Sequence, residues 1–147
     1  MPVINCTATT GLPPGRVLAA LTDFTADRPR IWPSLDPRFY QVHQLAETTA
    51  EVTEGSAFAG GVWERARYDW SAPGTVRITV LDSNAFEPGS SWTYQVTPAG
   101  NGSRVGLRIE RRGRTLKGRL LAVLLRITGR PVFCGDLRKV LAGLTAA

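Results

Sequence analysis

Glu64 is the residue of this sequence best placed to do chemistry, because it is a carboxylate on a segment whose alternate positions are otherwise apolar or aromatic. In Val62-Trp63-Glu64-Arg65-Ala66-Arg67-Tyr68-Asp69-Trp70, the set Trp63, Arg65, Arg67, Asp69 carries three charges and reads as the solvent face. Val62, Glu64, Ala66, Tyr68 and Trp70 then point to the interior. A carboxylate there must be neutral, paired or wet, since an uncompensated buried charge is costly. Glu54 belongs with it. In the set Ala50, Val52, Glu54 it also faces inward, and a hairpin symmetric about residue 59 puts it opposite Glu64, within about 5.5 Å. Two carboxylates that close push one pKa up, as a general acid requires. The alternatives are that the strand ends there with both solvated, or that an arginine pairs with them. Proton chemistry in the interior would fall to Glu64, with Glu54 or Tyr94 beside it, and Glu64 and Tyr94 are the candidate catalytic residues.

Other chemistries lack their parts. His43 is the only histidine, on a strand whose facing is unclear, and reads as a surface or satisfied residue. No Gly-x-Ser-x-Gly accompanies it, so no Ser-His-Asp triad is expected. Zinc is short of ligands, and neither a metal nor a cofactor is expected. Gly55 to Gly61 lacks the Gly-Lys-Ser/Thr ending of a phosphate loop and reads as a hairpin turn. Cys6 and Cys134 lie near opposite ends of the chain without a partner at metal spacing, and read as buried free thiols.

The elements that must position these residues follow from periodicity. Val3 to Thr10 is a β-rich first strand. Leu12-Pro13-Pro14-Gly15 opens a short helix with Val17, Leu18 and Leu21 at helical spacing. Pro29, Pro33 and Pro37 leave room for at most one more helical turn around Arg28 to Trp32. From residue 39 the period is two: strands are expected over 39–45, 48–54, 62–70, 75–82, 91–97 and 104–111. Asn101-Gly102 supplies the positive φ angles of a tight hairpin, and gaps this short admit only antiparallel neighbours. The expected inner face carries Val76, Ile78 and Val80, then Trp92, Tyr94 and Val96, then Val105, Leu107 and Ile109. After Gly113 the spacing predicts one long helix, kinked at Gly129-Arg130-Pro131. Leu116, Leu120, Val123, Leu124 and Ile127 fall within about 100° of one another on it. Leu121 and Leu125 add a second apolar flank, leaving Arg119, Ala122 and Arg126 as a narrow polar edge. A helix this apolar is expected to be buried on more than one side.

The 147 residues suit a single domain, 1–147, with enough apolar content for a core. The longest aliphatic run, Leu120 to Leu125, is far short of the ~20 residues of a membrane span. The N-terminus shows no basic then apolar leader, so the expected location is cytoplasmic. Charge is uneven: residues 1–103 carry seven arginines against ten acidic residues, residues 104–147 eleven basic residues against Glu110 and Asp136. That basic third reads chiefly as a solvated face, with a weak anionic surface contact as its functional alternative.

The order of elements resembles the START-related SRPBCC superfamily with its helix-grip fold. Ile31-Trp32-Pro33, Val62-Trp63-Glu64-Arg65 with Tyr68-Asp69-Trp70, Pro73-Gly74 and Pro88-Gly89-Ser90 resemble its bacterial polyketide cyclase/dehydrase-like branch. The resemblance implies an α+β fold in which a curved antiparallel seven-stranded sheet wraps a long C-terminal helix, with one or two short helices after the first strand. It also implies a cavity between sheet and helix for a lipid, sterol or polyketide-like molecule. On that basis Tyr68, Trp70, Trp92, Tyr94, Leu120, Leu124 and Ile127 are the expected ligand-binding residues. Three functions follow. The first is binding or transport of an apolar small molecule. The second is a cyclase or aromatase using Glu64 with Tyr94 or Glu54, which leaves enzyme against carrier open. The third is an anionic-surface module built on Arg111, Arg112, Arg114, Lys117 and Arg119. That stretch lacks the aromatic–basic interleaving of single-strand binders, which argues against nucleic acid. Monomer and homodimer are both compatible with the sequence.

Overall fold

Residues 3–146 are described by a computed structural model. Seven antiparallel strands form one sheet in the order β1-β7-β6-β5-β4-β3-β2. β1 (Val3–Thr10) is followed by α1 (Pro14–Leu21) and the single turn α2 (Arg28–Ile31). The meander is β2 (Gln41–Leu45), β3 (Thr49–Ser56), β4 (Val62–Asp69), β5 (Thr75–Ser83), β6 (Ser91–Ala99) and β7 (Gly102–Glu110). α3 (Leu116–Ala146) closes the chain. β1 returns to the sheet beside β7, Ile4 opposite Ile109 and Ala8 opposite Val105.

The strands form because their apolar residues recur every second position and one face must leave water. Val52, Ala66, Val76, Ile78, Val80, Val96 and Val105 are all buried on that face, while Arg67, Arg77 and Gln95 point away from it. The turns differ in detail from the expectation. Between β6 and β7 the positive φ belongs to Gly100, at 57°, and not to Asn101. The β3–β4 turn places Ala59 in the left-handed region, followed by Gly60 and Gly61.

The main correction concerns α3. It is helical through Gly129 and Pro131, but Leu116, Leu120, Val123, Leu124 and Ile127 are exposed. The buried seam of its first half is Gly118, Ala122 and Gly129. These small residues let the backbone approach closely. A Cβ on Gly118 would overlap the Ala85 carbonyl, and one on Gly129 would meet the end of Ile4. Beyond Pro131 the buried residues are Cys134, Leu137, Val140 and Leu141. The cysteines are a second correction: Cys6 on β1 and Cys134 on α3 are joined in a disulfide, and so are not free thiols. Pairing of β1 with β7, and the packing of α3 across β1, bring together residues 128 apart in the chain.

Candidate functional site

The space between the concave face of the sheet and the first half of α3 is a cavity of about 840 Å³. That is the size of a small-molecule site. Tyr68, Trp92, Tyr94, Leu107 and Ile109 supply its floor, and Leu121, Leu124, Leu125 and Phe133 its roof. Phe58, Leu124 and Val132 both line it and are exposed, which marks its mouth.

Glu54, Glu64 and Asp136 line this space, and the first two each have their own arginine. The β3–β4 register sets Glu54 opposite Glu64, as the hairpin symmetry predicts. Arg28, only 2% exposed, donates from Nε to Glu54 at 3.0 Å and from a terminal nitrogen to the Tyr68 hydroxyl at 3.0 Å. Its other terminal nitrogen donates to the carbonyls of Leu21 and Asp23, and its guanidinium lies 4.5 Å from the Phe24 ring centroid. The Tyr68 hydroxyl in turn donates to Glu54. Burial works to lower the Arg28 pKa, but Tyr68 and Glu54 outweigh it through charge and hydrogen bonds, so the guanidinium stays charged. Burial beside the Glu54 charge pushes the Tyr68 hydroxyl well above the ordinary tyrosine range.

Arg111 approaches Glu64 from just beyond β7, with a 3.1 Å contact between a guanidinium nitrogen and Oε1. The contact is an ion pair without hydrogen-bond alignment, for among the described residues Glu64 Oε1 has no hydrogen-bonding partner, nor has Arg111 Nε. The guanidinium instead sits among rings, 4.8 Å from Phe86, 4.9 Å from Trp92 and 5.6 Å from Phe133. Burial raises the Glu64 pKa; the Arg111 charge opposes this and the Glu54 charge adds to it. Burial also raises the Tyr94 hydroxyl. Trp32, beside Tyr94 at 6.2 Å between ring centroids, lines the cavity with its indole Nε1 likewise unpartnered.

Among the residues singled out by sequence, Glu64, Tyr68, Trp92, Tyr94 and Leu124 line the cavity. Trp70 does not: it is stacked on Phe24 at 5.8 Å. Leu120 and Ile127 do not either, being 63% and 78% exposed, because α3 turns its small residues inward. Arg111 is not a surface group; it belongs to the interior pair with Glu64. Arg114 pairs with Asp82, and Lys117 donates to the Gly61 carbonyl. His43 is exposed on the edge strand against Thr53. Arg28 and Trp32 are cavity residues that sequence periodicity missed, since they lie on a proline-bounded turn with no alternation. The available signal was the pair of inward carboxylates, which required buried cations nearby. Among the described residues no cluster of His, Cys, Asp and Glu could hold a metal.

The same fold occurs in proteins of very different sequence. The Zhui aromatase/cyclase of Streptomyces sp. R1128 superposes with a TM-score of 0.80 at 16% identity, over 98% of this chain and 93% of that one. A START superfamily protein of Mycobacterium smegmatis gives 0.74 at 11% identity, over 96% and 94%. A STAR-related lipid transfer protein of Xanthomonas axonopodis gives 0.72 at 14% identity, over 95% and 83%. No curated protein sequence matches the chain. The family model for polyketide cyclase/dehydrase and lipid transport matches residues 1–147. A helix-grip sheet around a lined cavity is thus joined to a match along the whole sequence, and the chain belongs to the polyketide cyclase/dehydrase and lipid transport family.

Proposed function

We propose that this protein binds an apolar small molecule carrying oxygen functions, held between the sheet and α3. One observation carries the reading. In a cavity lined mainly by aromatic and aliphatic side chains, the indole nitrogen of Trp32, Nε of Arg111 and Oε1 of Glu64 have no hydrogen-bonding partner among the described residues. Buried polar atoms are costly unless paired, and pockets of this kind fix orientation with a few placed polar groups. Two donors and one acceptor suit a ligand with carbonyl and hydroxyl oxygens at one end and a hydrocarbon body beneath Leu121 and Leu125. The ligand-binding residues on this reading are Trp32, Glu64, Tyr68, Trp92, Tyr94, Arg111 and Leu124.

Native mass spectrometry of the purified protein, with extraction of what co-purifies, tests the reading. A stoichiometric molecule of that class is the expected result. Leu125→Trp, which fills the cavity, should weaken its rebinding at least tenfold while circular dichroism stays unchanged. An empty protein that takes up neither fatty acids nor aromatic polyketones sinks the proposal.

The raised pKa of Glu64 favours a second reading, in which the same site is catalytic. A carboxyl held protonated nearer neutrality can pass its proton to a bound ketone and take one back from the adjacent carbon, the exchange that cyclisation and dehydration require. Tyr94, kept neutral by burial, would donate a hydrogen bond to the same oxygen. Glu64→Gln separates the readings: a carrier keeps its binding, whereas an enzyme keeps binding and loses turnover.

A further inference from the structure

We propose that the outward face of the first half of α3 is a docking surface for a bilayer rich in anionic lipid. Leu116, Leu120, Val123 and Ile127 are all exposed and recur at steps of four, three and four residues. At about 100° per residue they form one stripe, roughly 17 Å long at the helical rise. Arg119, Arg126 and Arg130 are exposed in a row along one flank of it. On the other flank lie Leu124 and Val132, and with them the cavity mouth. Leucines that would normally drive burial are thus left in water on a helix whose seam is glycine and alanine.

The surrounding charge selects the occupant. Residues 111–135 contain seven basic residues and no acidic one. Arg111 and Arg114 are in ion pairs, whereas Arg112, Arg119, Arg126 and Arg130 are exposed and form no ion pair among the described residues. An apolar stripe bordered by arginine is the pattern of a helix lying in a membrane interface, leucines among the acyl chains and cations at the headgroups. A second copy of the chain fits less well, because stripe-to-stripe pairing would bring two arginine rows together. The proposal stands whatever fills the cavity.

Flotation of the full chain with phosphatidylcholine vesicles, with and without phosphatidylglycerol, tests it. Binding is expected only with the anionic lipid and should fall as salt rises. Each of Arg119→Gln, Arg126→Gln and Arg130→Gln should weaken it about fivefold, and Leu120→Ser with Ile127→Ser roughly tenfold or more. All of these positions are exposed, so melting temperature should not move. Absence of binding to anionic vesicles overturns the proposal, as does binding that the leucine substitutions leave unchanged. A dimer formed without vesicles and broken by Leu120→Ser with Ile127→Ser reassigns the stripe to a second copy. Polyglutamate bound as tightly as vesicles, whatever the leucines, reassigns the arginine row to an acidic protein.

Discussion

Glu64 and Arg28 pose opposite electrostatic problems a few residues apart in space. Glu64 is buried with an imperfectly aligned cation, and burial raises its pKa above the usual carboxylate value. The folded state therefore holds the proton more tightly than the unfolded chain. Its contribution is fully present below the unfolded value and is lost as pH rises through the higher folded one. Melting temperatures of the native protein and Glu64→Gln should accordingly separate as pH climbs from about 4.5, the native protein losing ground. Arg28 is satisfied on every side, by Glu54, Tyr68 and two carbonyls. Arg28→Met should cost about 3 kcal/mol in denaturant unfolding, since it strands the Glu54 carboxylate and two carbonyls; Tyr68→Phe should cost about 1 kcal/mol. The carboxylates were legible from sequence because strand alternation assigns a face to each. Their arginines were not. Arg28, on α2, and Arg111, just past β7, lie outside the strands, where no period indicates direction, and only the folded molecule brings them to Glu54 and Glu64.

At the level of elements, the strands were readable and the long helix was only half so. A strand has two faces, and charges at Arg65 and Arg67 settle which is wet. α3 is apolar around most of its circumference, so periodicity finds a leucine stripe without saying whether it packs. What decides is proximity: Gly118 and Gly129 face the body of the protein because any larger side chain would hold the helix away from Ala85 and Ile4. Gly118→Ala should therefore destabilise by about 1–3 kcal/mol, the cost of forcing packed backbone apart. Gly135, with nothing within 4 Å of its would-be Cβ, offers the contrast. Gly135→Ala should stabilise by about 0.5–1 kcal/mol through helix propensity and reduced chain freedom. Calorimetry of the two variants reads both signs.

For the whole molecule, the feature least visible in the sequence is the Cys6–Cys134 bond. Nothing local connects residues 128 positions apart; they meet only because β1 completes the sheet beside β7 and α3 crosses it. Thiol titration of protein purified without reductant should find no free cysteine. Reduction, or Cys6→Ala with Cys134→Ala, should cost about 2–5 kcal/mol in urea, as expected for a link that closes a long loop. Such bonds persist where the surroundings are oxidising, whereas the free thiols expected from the sequence are what a reducing compartment maintains. The link also changes what a cut in the chain does. Everything from Cys6 to Cys134 is one covalent ring, containing six of the seven strands, most of β1 and the front half of α3. A protease that opens a single hairpin, at Gly100 or at Ala59, turns that ring into a linear chain with a new pair of ends. It releases no fragment, and the walls of the cavity remain parts of one molecule.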